Sequence, residues 1–257
     1  MSAIGTLSWA RSTGGRLSAS ERLALTATGL GSQVKQMSDK TAYALGLRKD
    51  RLARLDLDSV RLPDTPAAKE AEQIADEGFP PFMWHHSHRS YLWALALANL
   101  DSLKPDEEFL YIACLMHDAG MLGIGEREKD ACFTVASADA AARCARAANG
   151  DWGDERRERL MEAITLHINP VVDTSAGVEA SLLARGSTLD GVALRGAWRV
   201  DPETKRAVLA RHPRHNIQKE LPGALKAHGK EAPKCRIAFF LRYGALAQLV
   251  RHSPFDE

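Results

Sequence analysis

The sequence lacks an excess of charge of either sign. It has 34 Lys and Arg against 33 Asp and Glu among 257 residues, so no overall field favours nucleic acid or an anionic membrane as a partner. No apolar run approaches the roughly 20 residues that cross a bilayer. The N-terminal region also lacks a basic segment followed by an apolar core, the mark of a signal peptide. We therefore expect a cytoplasmic protein without nucleic-acid or membrane partners.

Cysteine pairs and strand patterns are absent as well. The four cysteines form no Cys-x-x-Cys pair, and Cys114 stands inside an apolar run, where a thiol behaves as a small hydrophobe. We expect all four to be reduced and structural, as is usual in the cytosol. The sequence shows neither the alternation of apolar and polar residues that is typical of strands nor an internal repeat. These absences favour an all-α fold.

The sequence does contain a series of segments with helix start and stop signals. Pro105 and the three acids after it begin a helix that we expect to end at Gly120. Asp190 is expected in a turn after a short helix that Gly186 ends, and Asp201 is a predicted cap. We expect residues 63–257 to form one helical domain and residues 1–62 an N-terminal extension that packs on or flanks the core. The predicted helices span residues 18–30, 67–77, 84–100, 105–118, 137–149, 154–167, 179–185 and 234–252.

An adjacent His-Asp pair, His117 and Asp118, closes one of these apolar helices. Their side chains diverge by roughly 100° on a helix, yet both can reach an ion at the side of the helix. His86 on the preceding helix and Asp190 in a later turn complete a set of two imidazoles and two carboxylates, which suits a buried divalent ion. A remaining open position would hold a water whose pKa the ion lowers. The pattern predicts a metal-dependent enzyme.

Other polar residues leave alternatives open. His88 competes with His86 as a ligand, and Asp173 competes with Asp190 unless it is a helix cap. His85 is expected at the surface or behind the ligands. Glycines 120, 123 and 125 are expected to form turns. The remaining histidines of the C-terminal half lie in polar stretches and are expected to be exposed: His212, His215, His228 and His252.

Five stretches stand out beside this constellation, at residues 86–91, 115–120, 133–138, 163–167 and 186–190, with Pro254 and Phe255 near the end. Together they resemble the HD-domain metal-dependent hydrolases, and within that superfamily cyanamide hydratase and its relatives. The likeness covers roughly residue 80 to the end. Three residues depart from the family pattern, because Asn, Glu and Gly are expected at the positions of His85, Thr134 and Ser137.

The resemblance implies an all-α HD fold that holds zinc through His86, His117, Asp118 and Asp190. Iron, manganese and cobalt are compatible with the same nitrogen and oxygen donors. It also implies that His167, at the end of a helix, faces the substrate rather than being a satisfied core histidine.

The expected reaction is hydration of a small nitrile, above all of cyanamide to urea, which would make the chain a zinc-dependent hydro-lyase. Asp118 is expected to be both a ligand and a proton acceptor. His167 is expected to bind and orient the substrate or to return a proton to its nitrogen. Arg89 is expected to brace the ligand helices from behind the ligands.

An HD-type phosphohydrolase acting on a nucleotide or a phosphate ester is the alternative. It needs cationic side chains directed at a phosphate, for which Arg143, Arg185 and Arg195 are available. A regulatory module with a degenerate site is a third interpretation. The intact ligand set argues against it, because four polar side chains among apolar helices need a partner. A small-molecule substrate is expected for either enzyme, and the sequence is compatible with a homo-oligomer.

Overall fold

The computed structural model describes residues 3–47, 51–147, 152–193 and 196–255. Within these ranges the chain forms twelve α-helices and no strand, which confirms the predicted all-α class. None of these helices is both long enough and apolar enough to cross a membrane. The helices are α1 (Leu7–Thr13), α2 (Ala19–Ala44), α3 (Pro66–Gly78), α4 (Pro81–Asp101), α5 (Glu107–Met116), α6 (Phe133–Ala147), α7 (Asp154–Leu166), α8 (Val178–Val192), α9 (Pro202–Arg211), α10 (Ile217–Glu231), α11 (Arg236–Tyr243) and α12 (Leu246–Arg251).

Helix α4 is the central helix of the fold. Pro81 occupies its first position, where the fixed φ of proline suits a helix and the missing N–H is not needed. Fourteen residues of α4 are buried, so that no side of the helix is left to solvent over most of its length. It packs most extensively against α8 and also against α5. Because α4 is buried on all sides, its polar side chains lie in the interior and need hydrogen-bond partners there.

Helix α8 runs past the glycine at which we predicted that it would end. Gly186 lies against α4, and a Cβ built on it would collide with the Ser90 carbonyl oxygen. The glycine therefore permits close packing of the two helices instead of ending one of them. As a result α8 continues to Val192, and Asp190 lies inside the helix rather than in the predicted turn.

The His-Asp pair lies where α5 ends. Met116 is the last residue of the helix and His117 is its C-cap. Asp118 precedes a 3₁₀ turn at Ala119–Leu122, whereas we predicted α-helix through Asp118. A Cβ on Gly120 would collide with backbone at the start of α6. The glycine thus lets this turn pack tightly against α6 and holds the His-Asp pair in the interior.

The N-terminal residues pack on the helical core through backbone hydrogen bonds. The Leu17 N–H donates to the Lys234 carbonyl at 2.8 Å, and the Cys132 N–H donates to the Gly14 carbonyl at 2.8 Å. Trp9 is buried in a small apolar cluster beside α11. The beginning of the extension is therefore attached to the segments that precede α6 and α11.

Helix α2 begins where we predicted, with Ser18 and Glu21 forming a reciprocal capping box. It does not end near Gly29 but continues to Ala44. A single glycine costs a helix only about 1 kcal/mol relative to alanine, which is too little to end a long helix. The glycine signal was therefore misread.

The C-terminal region departs most from the prediction. Helix α10 was not predicted, and Pro222 lies in its interior, where a proline usually indicates a break. The single helix predicted at 234–252 is two helices, α11 and α12. Between them Ala245 adopts a left-handed conformation with φ of 52°. By contrast, Asp201 caps α9 as predicted, accepting hydrogen bonds from two N–H groups of its first turn.

The other predicted helices correspond to observed ones. Those at 67–77, 84–100 and 154–167 correspond to α3, α4 and α7, and that at 137–149 corresponds to α6, which begins earlier at Phe133. The predicted end of this last helix lies outside the described residues.

Candidate metal centre

Three side chains from α4 and the end of α5 converge in the interior. His86 Nε2 lies 3.3 Å from His117 Nε2 and 3.7 Å from Asp118 Oδ2. His117 Nε2 lies 3.3 Å from the same carboxylate oxygen. All three residues are buried, and their donor atoms lie within 4.8 Å of one another. The structure therefore brings together three of the four predicted ligands in a group that could hold a metal ion.

The hydrogen bonds of the two imidazoles direct an unprotonated nitrogen of each ring towards this group. His86 Nδ1 lies 2.7 Å from Asp190 Oδ2, and His117 Nδ1 lies 2.7 Å from the Cys114 carbonyl oxygen. Since both partners are acceptors, each Nδ1 carries a proton, and each ring in its neutral form has its lone pair on Nε2. Two lone pairs 3.3 Å apart repel each other unless a cation or a proton lies between them. The arrangement fits a bound cation.

Asp118 supplies negative charge to the group. Burial raises the pKa of a carboxyl, but the His117 and His167 imidazoles outweigh burial and hold the pKa of Asp118 well below its usual range. Burial works against the charged form of His117, but Asp118 outweighs it and raises the pKa of that imidazole. Burial lowers the pKa of His86. Two imidazoles and a carboxylate are donors that a divalent metal ion can accept.

His167 lies beside the group, as the C-cap of α7. Its Nδ1 lies 2.6 Å from the Ile164 carbonyl oxygen, so the proton is on Nδ1 and the lone pair on Nε2. Nε2 lies 3.5 Å from Asp118 Oδ1. Burial lowers the pKa of His167 despite the neighbouring carboxylate. The structure therefore places His167 Nε2, the ring nitrogen that does not face a backbone carbonyl, next to Asp118.

Asp190 lies behind His86 rather than among the converging donors. Its Oδ2 accepts hydrogen bonds from His86 Nδ1 at 2.7 Å and Arg89 Nη2 at 2.9 Å, and its Oδ1 accepts from Arg89 Nε at 2.7 Å and Trp93 Nε1 at 2.9 Å. Four hydrogen bonds use the lone pairs of the carboxylate. Burial raises its pKa, but Arg89 and His86 outweigh burial and hold it well below the usual range. We expected a fourth ligand, whereas this geometry makes Asp190 the group that orients His86 and sets its tautomer.

Arg89 connects Asp190 to a segment of the chain beyond α8. The guanidinium is fully buried, and its Nη1 donates to the carbonyl oxygens of His212 at 3.0 Å and Pro213 at 2.7 Å. It therefore joins α4, Asp190 and the segment after α9. Trp93 was missed. It stands four residues after Arg89, so the helical period places both on one face of α4, and that spacing was the available signal.

The competing residues lie elsewhere. His88 Nδ1 lies 2.9 Å from the Trp84 carbonyl oxygen, and its ring stacks on the Trp84 indole with centroids 3.9 Å apart. His85 stacks on His215, with centroids 4.4 Å apart. Asp173 is exposed and caps a 3₁₀ turn by accepting a hydrogen bond from the N–H two residues later. Neither His88 nor Asp173 belongs to the group of converging donors.

The expectation of exposed histidines was right for two of the four. His215 and His252 are exposed, and His212 is half-buried. His228 is buried, with 3% of its surface exposed. Its neighbours along the chain are polar, but they lie on other faces of α10, so local polarity did not indicate the environment of this residue.

A cavity of about 280 Å³ opens onto His86, His117, Asp118 and His167. Its walls are mainly apolar side chains of α2, α10, α11 and α12. The N-terminal extension therefore contributes one wall through α2. No Lys or Arg occurs among the described residues that line the cavity. The apolar walls include Leu25, Leu30, Leu221, Leu225, Phe239 and Phe240.

The arginines considered for phosphate binding lie away from this cavity. Arg143 Nε lies 3.7 Å from Asp139 Oδ2, and Arg185 donates a hydrogen bond to Asp101. Arg195 lies outside the described residues. Neither described arginine lines the cavity.

Comparison with known proteins identifies no family. The chain matches no protein-family model, and no curated protein matches it. The resemblance to HD-domain hydrolases stays an expectation, and functional inference therefore rests on the site itself.

Proposed function

We propose that the chain is a metal-dependent hydratase that adds water to a small uncharged nitrile, with cyanamide as the foremost substrate and urea as its product. The observation that carries the proposal is the group of His86, His117 and Asp118 beside an apolar cavity whose described lining has no Lys or Arg. A divalent ion held by this group, zinc first among the candidates, would lower the pKa of a water towards 7 and make it nucleophilic at neutral pH.

The residues around the group have the properties that such a reaction needs. Asp118 is an anion that can accept a hydrogen bond from the attacking water. His167 Nε2, 3.5 Å from Asp118 Oδ1, carries a lone pair and can accept a proton and deliver it to the substrate nitrogen. Asp190 and Arg89 keep His86 in one tautomer and act through it.

The charge of the cavity favours an uncharged substrate over a phosphate ester. A phosphate that enters an apolar cavity loses its hydration, and this loss is costly unless cationic side chains replace the water. The described lining offers imidazoles, hydroxyls and amides but no Lys or Arg. This supports the hydratase over the phosphohydrolase.

The size of the cavity bears on which nitriles react. A volume of about 280 Å³ leaves room for an alkyl group on the nitrile carbon beside the apolar walls. Each buried methylene contributes about 0.8 kcal/mol, which corresponds to about a fourfold gain in kcat/KM. We therefore expect short aliphatic nitriles to react, with kcat/KM rising along the series until the cavity is filled.

Urea and phosphate release from the same purified protein test the proposal. The protein is stripped with a chelator, reloaded with zinc, manganese, iron or cobalt, and assayed with cyanamide, aliphatic nitriles and a panel of phosphate esters. We expect metal-dependent amide or urea formation that His117→Ala abolishes and the matched surface variant His252→Ala retains. Phosphate release without nitrile hydration would refute the proposal, as would nitrile hydration that His117→Ala leaves intact.

A further inference from the structure

A second cluster of polar side chains lies beside the wall of the cavity. Cys132 immediately precedes α6, Cys235 is the N-cap of α11, and His228 belongs to α10. All three are buried, and one sulfur or nitrogen atom of each lies within 4.8 Å of those of the other two. The two cysteines are not joined by a disulfide. None of these residues takes part in the candidate metal centre.

Arg236 makes this cluster electrostatically unusual. The side chain is fully buried, and its guanidinium donates to Asn169 Oδ1 at 2.7 Å, the Thr165 carbonyl at 2.7 Å and Thr134 Oγ1 at 3.3 Å. These acceptors are all neutral, and no carboxylate of the described residues forms an ion pair with Arg236. A buried cation without an anion is costly. Burial lowers the pKa of Arg236, and the neighbouring Cys132 and Cys235 oppose this shift, so a thiolate in this cysteine pair would balance the buried guanidinium.

The surroundings of Cys132 favour its thiolate form. The neighbouring Cys235 thiol, and then His228, Arg236 and Thr134, outweigh burial and hold the pKa of Cys132 well below its usual range. The interaction with Cys132, together with burial, raises the pKa of Cys235. These two directions favour a pair with one thiolate and one thiol.

The hydrogen bonding of His228 argues against a metal ion in this cluster. His228 Nε2 accepts a hydrogen bond from the Phe133 N–H at 3.1 Å. A neutral imidazole has a single lone pair in the ring plane, and here a backbone amide already uses it. This hydrogen bond favours a cysteine pair without a metal ion over a site for zinc.

We propose that Cys132 and Cys235 form a redox-active pair that a peroxide converts reversibly into a disulfide. The Cys132 thiolate attacks hydrogen peroxide, the O–O bond breaks, and a sulfenic acid and hydroxide form. The Cys235 thiol then attacks the sulfenic sulfur. The S–S bond forms as the S–O bond breaks, and the proton of Cys235 leaves with the hydroxyl as water. The two cysteines are oxidised by two electrons in total, and one peroxide is reduced.

The cysteine pair adjoins the wall of the cavity of the candidate centre. Phe133 and Ile237, which are close to the two cysteines in the sequence, line this cavity. The Phe133 ring contacts the rings of His228 and His167, with centroid distances of 5.2 Å and 5.9 Å. Both cysteines are fully buried, so hydrogen peroxide, which is small and uncharged, has to reach them through this wall.

The experiment treats the full-length reduced protein with graded hydrogen peroxide and maps its cysteines by mass spectrometry after alkylation. Cys114 and Cys144 are internal controls, because they are also buried and burial raises the pKa of both. We expect a Cys132–Cys235 disulfide to form at least about tenfold faster than either control is oxidised and to disappear with dithiothreitol. Equal rates, or no disulfide when the controls are already oxidised, would overturn the proposal.

Single variants identify the order of events. Cys235→Ser is expected to accumulate a sulfenic acid at Cys132, which dimedone traps. Cys132→Ser is expected to leave Cys235 as slow as the controls. If either variant does not fold, the oxidation rates of the cysteines in the unaltered chain still test the proposal. Zinc that co-purifies with the chain and protects both cysteines from alkylation would also overturn the proposal, since it would show a metal-thiolate cluster.

Discussion

Replacing Asp190 by asparagine tests whether Asp190 orients His86 or is itself a metal ligand. The Asp190→Asn substitution keeps the shape of the side chain but removes the charge opposite buried Arg89. The new amide N–H₂ also faces a donor, either His86 Nδ1 or the guanidinium, because both oxygens of the native carboxylate accept hydrogen bonds. Breaking a buried ion pair on one side costs about 3–5 kcal/mol. We expect Asp190→Asn to lower the free energy of unfolding of the metal-free protein by that amount.

The effect on metal binding should be smaller than the loss of a ligand. Removing a carboxylate that orients a histidine ligand weakens metal affinity about 10–100-fold, which corresponds to about 1.4–2.7 kcal/mol. Competition with a fluorescent chelator measures this affinity, and urea denaturation of the stripped protein measures stability. We expect saturating zinc to refill the Asp190→Asn site.

Asp173→Asn provides the matched control, since Asp173 is an exposed cap of a short turn and its replacement should leave metal affinity unchanged. A folded Asp190→Asn protein that binds no zinc at millimolar concentration would show that Asp190 is a direct ligand. Unchanged affinity and unchanged stability would refute the role given to its four hydrogen bonds. If the variant does not fold, Trp93→Phe removes a single donor to the carboxylate and tests the same support more mildly.

Three further predictions concern the support and packing of the site. Trp93→Phe should lower metal affinity less than tenfold and lower the free energy of unfolding by about 1 kcal/mol. Chelator competition and urea denaturation measure these two quantities, and no change in either would contradict the prediction. Gly186→Ala should lower the free energy of unfolding by about 1–3 kcal/mol, because the new Cβ would collide with α4. Gly223→Ala, in an open position of α10, should be neutral or stabilising in the same denaturation assay. Burial first, and then nearby His88, lower the pKa of His212 to about 3, so the unfolded chain takes up the proton first as the pH falls. Stability should therefore decline from about pH 6.5 towards pH 3, by at most about 1.4 kcal/mol per pH unit from this group, and His212→Phe should flatten that decline.

The helical signals in the sequence were read correctly where their cause is local. Ser18 and Asp201 begin helices through their own side-chain chemistry, which no tertiary contact has to supply. Gly186 was misread for the opposite reason. A glycine that permits close contact with a neighbouring helix and a glycine that ends a helix look alike in one dimension.

Some residues of the candidate site were likewise predictable from local sequence, and others were not. His86, His117 and Asp118 were predictable because two imidazoles and a carboxylate embedded in apolar helices need a polar partner, whatever the arrangement of those helices. The place of Asp190 was not predictable. Its carboxylate meets Arg89 and Trp93 only because α8 packs along α4, and those contacts direct it to Nδ1 of His86 instead of the converging donors.

The sequence by itself thus determined the helical class and the residue types of the site, since helical period, capping and burial preference act over a few neighbouring residues. Only the tertiary structure decided which nitrogen of each imidazole faces the centre. It also decided that no Lys or Arg occurs among the described residues that line the cavity. It alone brought Cys132 to Cys235 and Arg236. These features depend on the approach of segments far apart along the chain, where hydrogen-bond geometry and the exclusion of water change what a side chain can do.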